Sequence, residues 1–293
     1  MIPILRNQRP IRRTRGTFRQ GVDSSHGHFQ RKSTVNASEV DPTDLHATAT
    51  HEYALGSFSP GDAVYRGAKG YFNVWKPSVE LSSEFSSSQL WIIAGDDQLN
   101  TIEVGWQVYK DRYKDDFPHL FIRWTRDGHA STGCDNLQCP GFVQISSSVV
   151  VGGSLSASIS QTNGPQYEMQ VMVFWDRGTD AWWLNVNGQF VGYWPNSLFT
   201  ILKGGAFRVD WGGDILNSET GGRHTQTDMG SGDFPQFTWQ RAAYIRSLQT
   251  VTSTPEQVFV DVPIDALKGI WGNGRCYKVN TWQDSSSPSD WRT

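Results

Sequence analysis

Short apolar runs recur along this chain at residues 70–74, 89–94, 101–108, 120–125, 149–151, 167–174, 182–186, 190–193 and 207–211, with turn-forming residues between nearly all of them. None is long enough for an amphipathic helix of ordinary length, and the spacing is that of an antiparallel sandwich. Thirteen Trp and 29 Gly agree with that reading. Aromatic and β-branched residues suit a pleated, half-buried surface, and Gly, Pro, Asn and Ser supply the turns. Asn185-Val-Asn-Gly188 predicts a tight hairpin. Residues 195–202 predict two helical turns between Pro195 and Gly204, and residues 242–251 an edge strand. The expected fold is all-β, an antiparallel β-sandwich.

Two of the runs carry acids in a telling place. In residues 101–108, Ile102, Val104, Trp106 and Val108 alternate with Thr101, Glu103, Gly105 and Gln107. Glu103 thus faces away from the core, and Gly105, two residues on, is expected to leave a gap that a substrate backbone can enter. Phe207, Val209 and Trp211 alternate in the same way with Arg208, Asp210, Gly212 and Asp214. Glu103 and Asp214 are therefore a candidate paired-acid site, set against the plain reading of solvated acids on an exposed strand face. Gln107 shares the Glu103 face, where it would orient water or an oxyanion. Tyr193, Trp194 and Trp239 are candidates for an aromatic subsite, and packing is the simpler role for each.

Charge excludes some functions. Residues 1–32 hold eight Arg or Lys and one acid, leaving 18 basic and 28 acidic residues in the remainder, about −10. A folded part that acidic is unsuited to nucleic acid. The basic head, residues 1–50, reads as a disordered segment or propeptide remnant; Asn36-Ala-Ser38 within it is a glycosylation sequon. Residues 51–252 form the expected domain and 253–293 a looser C-terminal extension with a Ser/Pro-rich end at 285–289. No stretch approaches the roughly 20 apolar residues of a membrane-spanning helix, so neither membrane nor nucleic acid is an expected partner.

Cys134 and Cys139 flank a short turn-forming insert that fits a disulfide loop and hence an oxidising compartment; Cys276 is left over, free or paired beyond this chain. The weaker metal reading lacks partners, since the seven His form no His-Glu-x-x-His and the Cys no Cys-x-x-Cys pair; no cofactor is expected. Met1-Ile-Pro-Ile-Leu5 is too short and too soon followed by Arg to be a signal peptide. A truncated or processed chain would reconcile this with the disulfide.

A set of words in order then narrows the reading. Tyr65-Arg-Gly-Ala-Lys69, Trp75-Lys-Pro77, Ser88-Gln-Leu-Trp91, Asn100-Thr-Ile-Glu-Val-Gly-Trp-Gln-Val108, Thr132-Gly-Cys134, Cys139-Pro-Gly-Phe-Val-Gln144, Trp182-Trp-Leu184, Val191-Gly-Tyr-Trp-Pro195, Trp211-Gly-Gly213, His224-Thr-Gln-Thr227 and Met229-Gly-Ser-Gly232 together resemble the neprosin family, glutamic-type peptidases widespread in plants. The resemblance implies a β-sandwich with a long cleft across one sheet, two carboxylates on its floor, cleavage of peptides at acid pH including after proline, secretion, and a propeptide over the cleft. Glu103 matches the first family glutamate. Asp214 stands where the second is found, following Trp-Gly-Gly, and is shorter by one C–C bond, about 1.5 Å. Since a misplacement of about 1 Å can cost about a hundredfold in rate, two functions stand side by side. One is an acid-active endopeptidase, the other an impaired peptide- or glycan-binding relative; a glycoside hydrolase is the third rival. Asp135 also departs from the family, which usually has an aromatic after the first cysteine.

Overall fold

The computed structural model describes residues 49–96, 98–219, 223–237, 239–252 and 258–280, with the backbone pairing of 5–7, 282–283 and 291–292. Apart from Leu5–Asn7, which pairs with residues 166–168, residues 1–48 of the basic head, with the Asn36 sequon, and residues 285–289 lie outside the described residues.

Among the described residues fourteen strands, with Leu5–Asn7 added beside residues 166–168, make two antiparallel sheets: β1 Thr50–Phe58, β2 Tyr65–Asn73, β3 Ser86–Ala94, β4 Asn100–Val108, β5 His119–Thr125, β6 Cys134–Asp135, β7 Val143–Gln144, β8 Gln166–Asp176, β9 Ala181–Val186, β10 Gln189–Pro195, β11 Arg208–Asn217, β12 Ile245–Thr252, β13 Phe259–Asp261 and β14 Lys268–Trp271. The front sheet runs β14-β1-β11-β3-β4-β5-β6 and the back sheet β13-β12-β2-β8-β9-β10-β7. This is the sandwich expected from the run spacing. Strand β12 is not at the edge, because β13 covers it. The segment set apart in the sequence as a looser extension supplies β13 and β14, one outer strand to each sheet.

Alternation builds the core. Ile102, Val104, Trp106 and Val108 of β4 are all fully buried toward the back sheet, where Phe72, Val171, Val173, Trp182 and Trp194 meet them in one cluster. Trp106 also donates its indole N–H to the carbonyl of Asn73 at 3.0 Å, joining the two sheets through a satisfied buried group. At the β9–β10 turn Asn187 and Gly188 have φ of 51° and 81°, and Val186 pairs with Gln189. That is the two-residue hairpin the Asn-Gly pair predicts.

Residues 195–202 give two 3-10 turns, Asn196–Leu198 and Leu202–Gly204, in place of a helix. The reason is local. The Asn100 side-chain oxygen accepts from the backbone N–H groups of Thr200, Ile201 and Leu202 at 2.9, 2.9 and 3.2 Å, a competing set of partners for groups a helix would have satisfied itself. Residues 149–151 form a turn whose Val149 and Val151 are nevertheless buried.

Candidate active site

Strand pairing sets three rows of side chains on the outer face of the front sheet. One row runs Asp210, Trp91, Glu103, Arg123, Asp135; the next Leu55, Gly212, Gln89, Gly105, Phe121; the third Tyr53, Asp214, Ser87, Gln107, His119. Glu103 and Asp214 thus share a face, two strands apart and offset by four residues, which in a flat sheet is about 10 Å across and about 13 Å along. The sheet is not flat. The Arg123 guanidinium is held charged by the ionised forms of Glu103, Asp135 and Asp214, and Asp214 feels both Glu103 and Arg123.

The glycines help explain this closeness, and they correct the expectation of an open gap. A Cβ on Gly105 would run into the Ser88 carbonyl and stand 2.6 Å from the Gln89 Cα; on Gly212 it would strike the Ala54 carbonyl and stand 2.5 Å from the Leu55 Cα. The neighbouring strands, and no substrate, occupy the space. The absence of two side chains in the middle row lets the strands close up and brings the outer rows toward each other.

This face is also far drier than an exposed polar face. Glu103 is 8% exposed, Gln107 5% and Asp214 4%. Two segments fold over its edge. After β4, Arg112 of the short helix Lys110–Tyr113 donates to the Gln107 side-chain oxygen at 3.1 Å. After β5, His129 brings its Nε2 to 3.8 Å from Glu103 Oε1.

Glu103 accepts from the Thr101 hydroxyl and from the Gln89 amide, both at 3.0 Å. Burial opposes its ionisation, but His129, Arg123 and Thr101 outweigh that cost and bring the carboxyl down to about 2. For Asp214 burial wins. His51 Nδ1 lies 3.0 and 3.1 Å from its two oxygens and favours the charged form, yet desolvation and the neighbouring Glu103 charge leave the carboxyl above its ordinary value. Gln89 sits between them: the single Ser87 hydroxyl proton is shared between its oxygen at 2.9 Å and the Asp214 carbonyl at 3.1 Å. That fixes the amide with its N–H groups turned to Glu103.

The aromatic candidates go elsewhere. Tyr193 and Trp194 lie on β10 in the back sheet, where Trp194 is fully buried in the core and Tyr193 packs at 4.9 Å on Trp183. Trp239 packs on Tyr244. Their place beside the acids is taken by Tyr53 and Trp91, whose rings meet edge to face at 6.2 Å over an apolar cluster with Leu55 and Ile93. Cys134 and Cys139 form the expected disulfide, and Cys276 is a free thiol. Asp135, between the cysteines, accepts from Arg112 at 2.6 Å and forms an ion pair with Arg123 Nε at 3.2 Å. Among the described residues no group of three or more His, Cys, Asp or Glu is arranged to hold a metal ion.

Residues 82–292 match the family model of the neprosin family. Among solved structures the chain is similar to scytalido-glutamic peptidase with a peptide-based transition state analog, at 12% identity and a TM-score of 0.41, covering 84% of this chain and 98% of that one. A second structure of that peptidase, with a transition state analog inhibitor, gives 12% identity and a TM-score of 0.39 over 84% and 99% of the two chains.

Proposed function

Because this chain belongs to the neprosin family of peptidases, we propose that it hydrolyses peptide bonds in acid solution, with Glu103 as general base and Asp214 as general acid. The observation that carries this reading is the opposite pull on the two carboxyls of one buried face, Glu103 down to about 2 and Asp214 up. Environments that split a pair in this way assign the base to the lower member and the acid to the higher.

In the proposed step a water held by Glu103 gives it a proton and adds to the scissile carbonyl carbon. Asp214 and the second Gln89 N–H donate hydrogen bonds to the oxyanion so formed; as the C–N bond breaks the Asp214 proton passes to the departing amine, and the proton left on Glu103 returns through solvent to Asp214. Both forms coexist only above the Glu103 value and below the raised Asp214 value, so activity belongs to acid solution and fades as Asp214 ionises. The Tyr53 and Trp91 rings supply an apolar wall for a proline ring, and cleavage after proline is the specificity proposed. The disulfide accords with a secreted protein.

One observation favours the impaired alternative: His51 engages both oxygens of the shorter Asp214 side chain. Cleavage of a proline-containing peptide between about pH 2.5 and 7 separates the two. Acid-dependent cleavage by the native chain that disappears in Glu103→Gln supports the peptidase. Cleavage seen only in Asp214→Glu means the fold has kept the cleft and lost the chemistry.

A further inference from the structure

Beside Glu103, on the side away from Asp214, the front sheet ends in a pocket of about 360 Å³ lined by Arg123, His129, Ser131, Thr132, Asp135 and Gln138 among others. We propose that this pocket is a carboxylate subsite, which selects peptides carrying an acidic side chain or a free C-terminus next to the bond to be cut. The inference rests on the peptidase reading for its substrate class.

Arg123 is the reason. Its Nε forms an ion pair with Asp135 at 3.2 Å, while its terminal N–H groups have no hydrogen-bond partner among the described residues. Asp135 is shared, since its other oxygen accepts from Arg112 at 2.6 Å. One internal carboxylate thus serves two guanidiniums, and the outer edge of Arg123 is left as a fork of the geometry that binds a carboxylate through two parallel bonds. Glu103 in the same row acts on Arg123 through its charge alone, with no hydrogen bond between the two, while its oxygens accept from Thr101 and Gln89.

The pocket walls are built in advance. Asp127 accepts from the backbone and hydroxyl groups of Ser131 at 3.0 and 2.6 Å and of Thr132 at about 3.0 and 2.7 Å, and the Cys134–Cys139 disulfide closes the other side. The His129 ring lies against Gly133, where a Cβ would come within 2.5 Å of Nδ1. The position of Arg123 one strand beyond Glu103, about 5 Å away, puts the carboxylate within a residue or two of the scissile bond.

The test measures binding, so it does not depend on turnover. Three peptides of one proline-containing core, with an internal Glu, with Gln in its place, both C-terminally amidated, and with Gln and a free C-terminus, are titrated calorimetrically into the full chain carrying Asp214→Asn at pH 5.5. At least one of the two carboxylates is expected to bind tenfold or more tighter than the Gln amide, and the stronger of the two identifies the source. Arg123→Met should remove the preference. Gln138→Glu, on an exposed loop, should reverse it with no demand on the core. Three peptides within twofold of one another, or a preference that survives Arg123→Met, would overturn the proposal. A preference present while the native chain, with Asp214 intact, cleaves nothing at any pH leaves the subsite standing and removes the peptidase reading.

Discussion

Glu103 and Asp214 belong to one face but respond to pH with opposite signs, and stability should show it. The folded Glu103 takes its proton at about 2, below the ordinary value of about 4.3 in an unfolded chain. Its contribution to stability is therefore complete above the unfolded value and lost as pH falls toward 2, on the order of 3 kcal/mol in all. Asp214 has a raised value, so its contribution is present in acid and is lost as pH rises through the folded value. Chemical denaturation from pH 2 to 7 should find Glu103→Gln flatter than the native chain below about pH 4. Asp214→Asn should gain on the native chain as pH rises; a constant offset at all pH values would contradict the assignment. The two acids were legible because alternation alone gives the face of a strand. Arg123 and His51 were not, since their neighbours come from strand pairing, and the alternation around His51 in β1 is too weak to announce a strand.

At the scale of the element, glycine carries two separable roles in this fold. Gly105 lies in the interior of β4 where any Cβ meets the backbone of β3, and backbone cannot swing aside as a side chain does. Gly105→Ala is expected to cost about 3 kcal/mol or more, and to lose activity beyond what unfolding explains, because the strands carrying Glu103 and Asp214 must spread. Gly188, at φ 81° with nothing within 4 Å, is its counterpart. Gly188→Ala should cost only about 1–2 kcal/mol of backbone strain and leave kcat/KM unchanged. Urea titrations with activity assays on the two variants check the contrast, and equal losses of activity would show that the middle row does not position the acids. Sequence marked Gly188 correctly because a hairpin is a local event. It misplaced the purpose of Gly105 because the atom that fills its space belongs to residue 88, brought there by the sheet.

The whole molecule holds its site from behind. Trp106 alternates with the acid-bearing residues of β4, so the same strand that presents Glu103 outward anchors inward among the back-sheet residues, and its N–H reaches Asn73 across the interface. A core of this kind couples stability to the geometry of the outer face, since a shift in β4 moves both faces at once. Trp106→Phe keeps most of the packing but orphans the Asn73 carbonyl, and should cost about 1–3 kcal/mol; Trp106→Ala should cost about 3–5 kcal/mol. If the coupling is real, Trp106→Phe lowers kcat with little change in KM at temperatures where it remains fully folded. An unchanged kcat in a destabilised variant would mean the site is held from its own face, by His129, Arg112 and the folded-over loops, and that the sandwich beneath serves only as support.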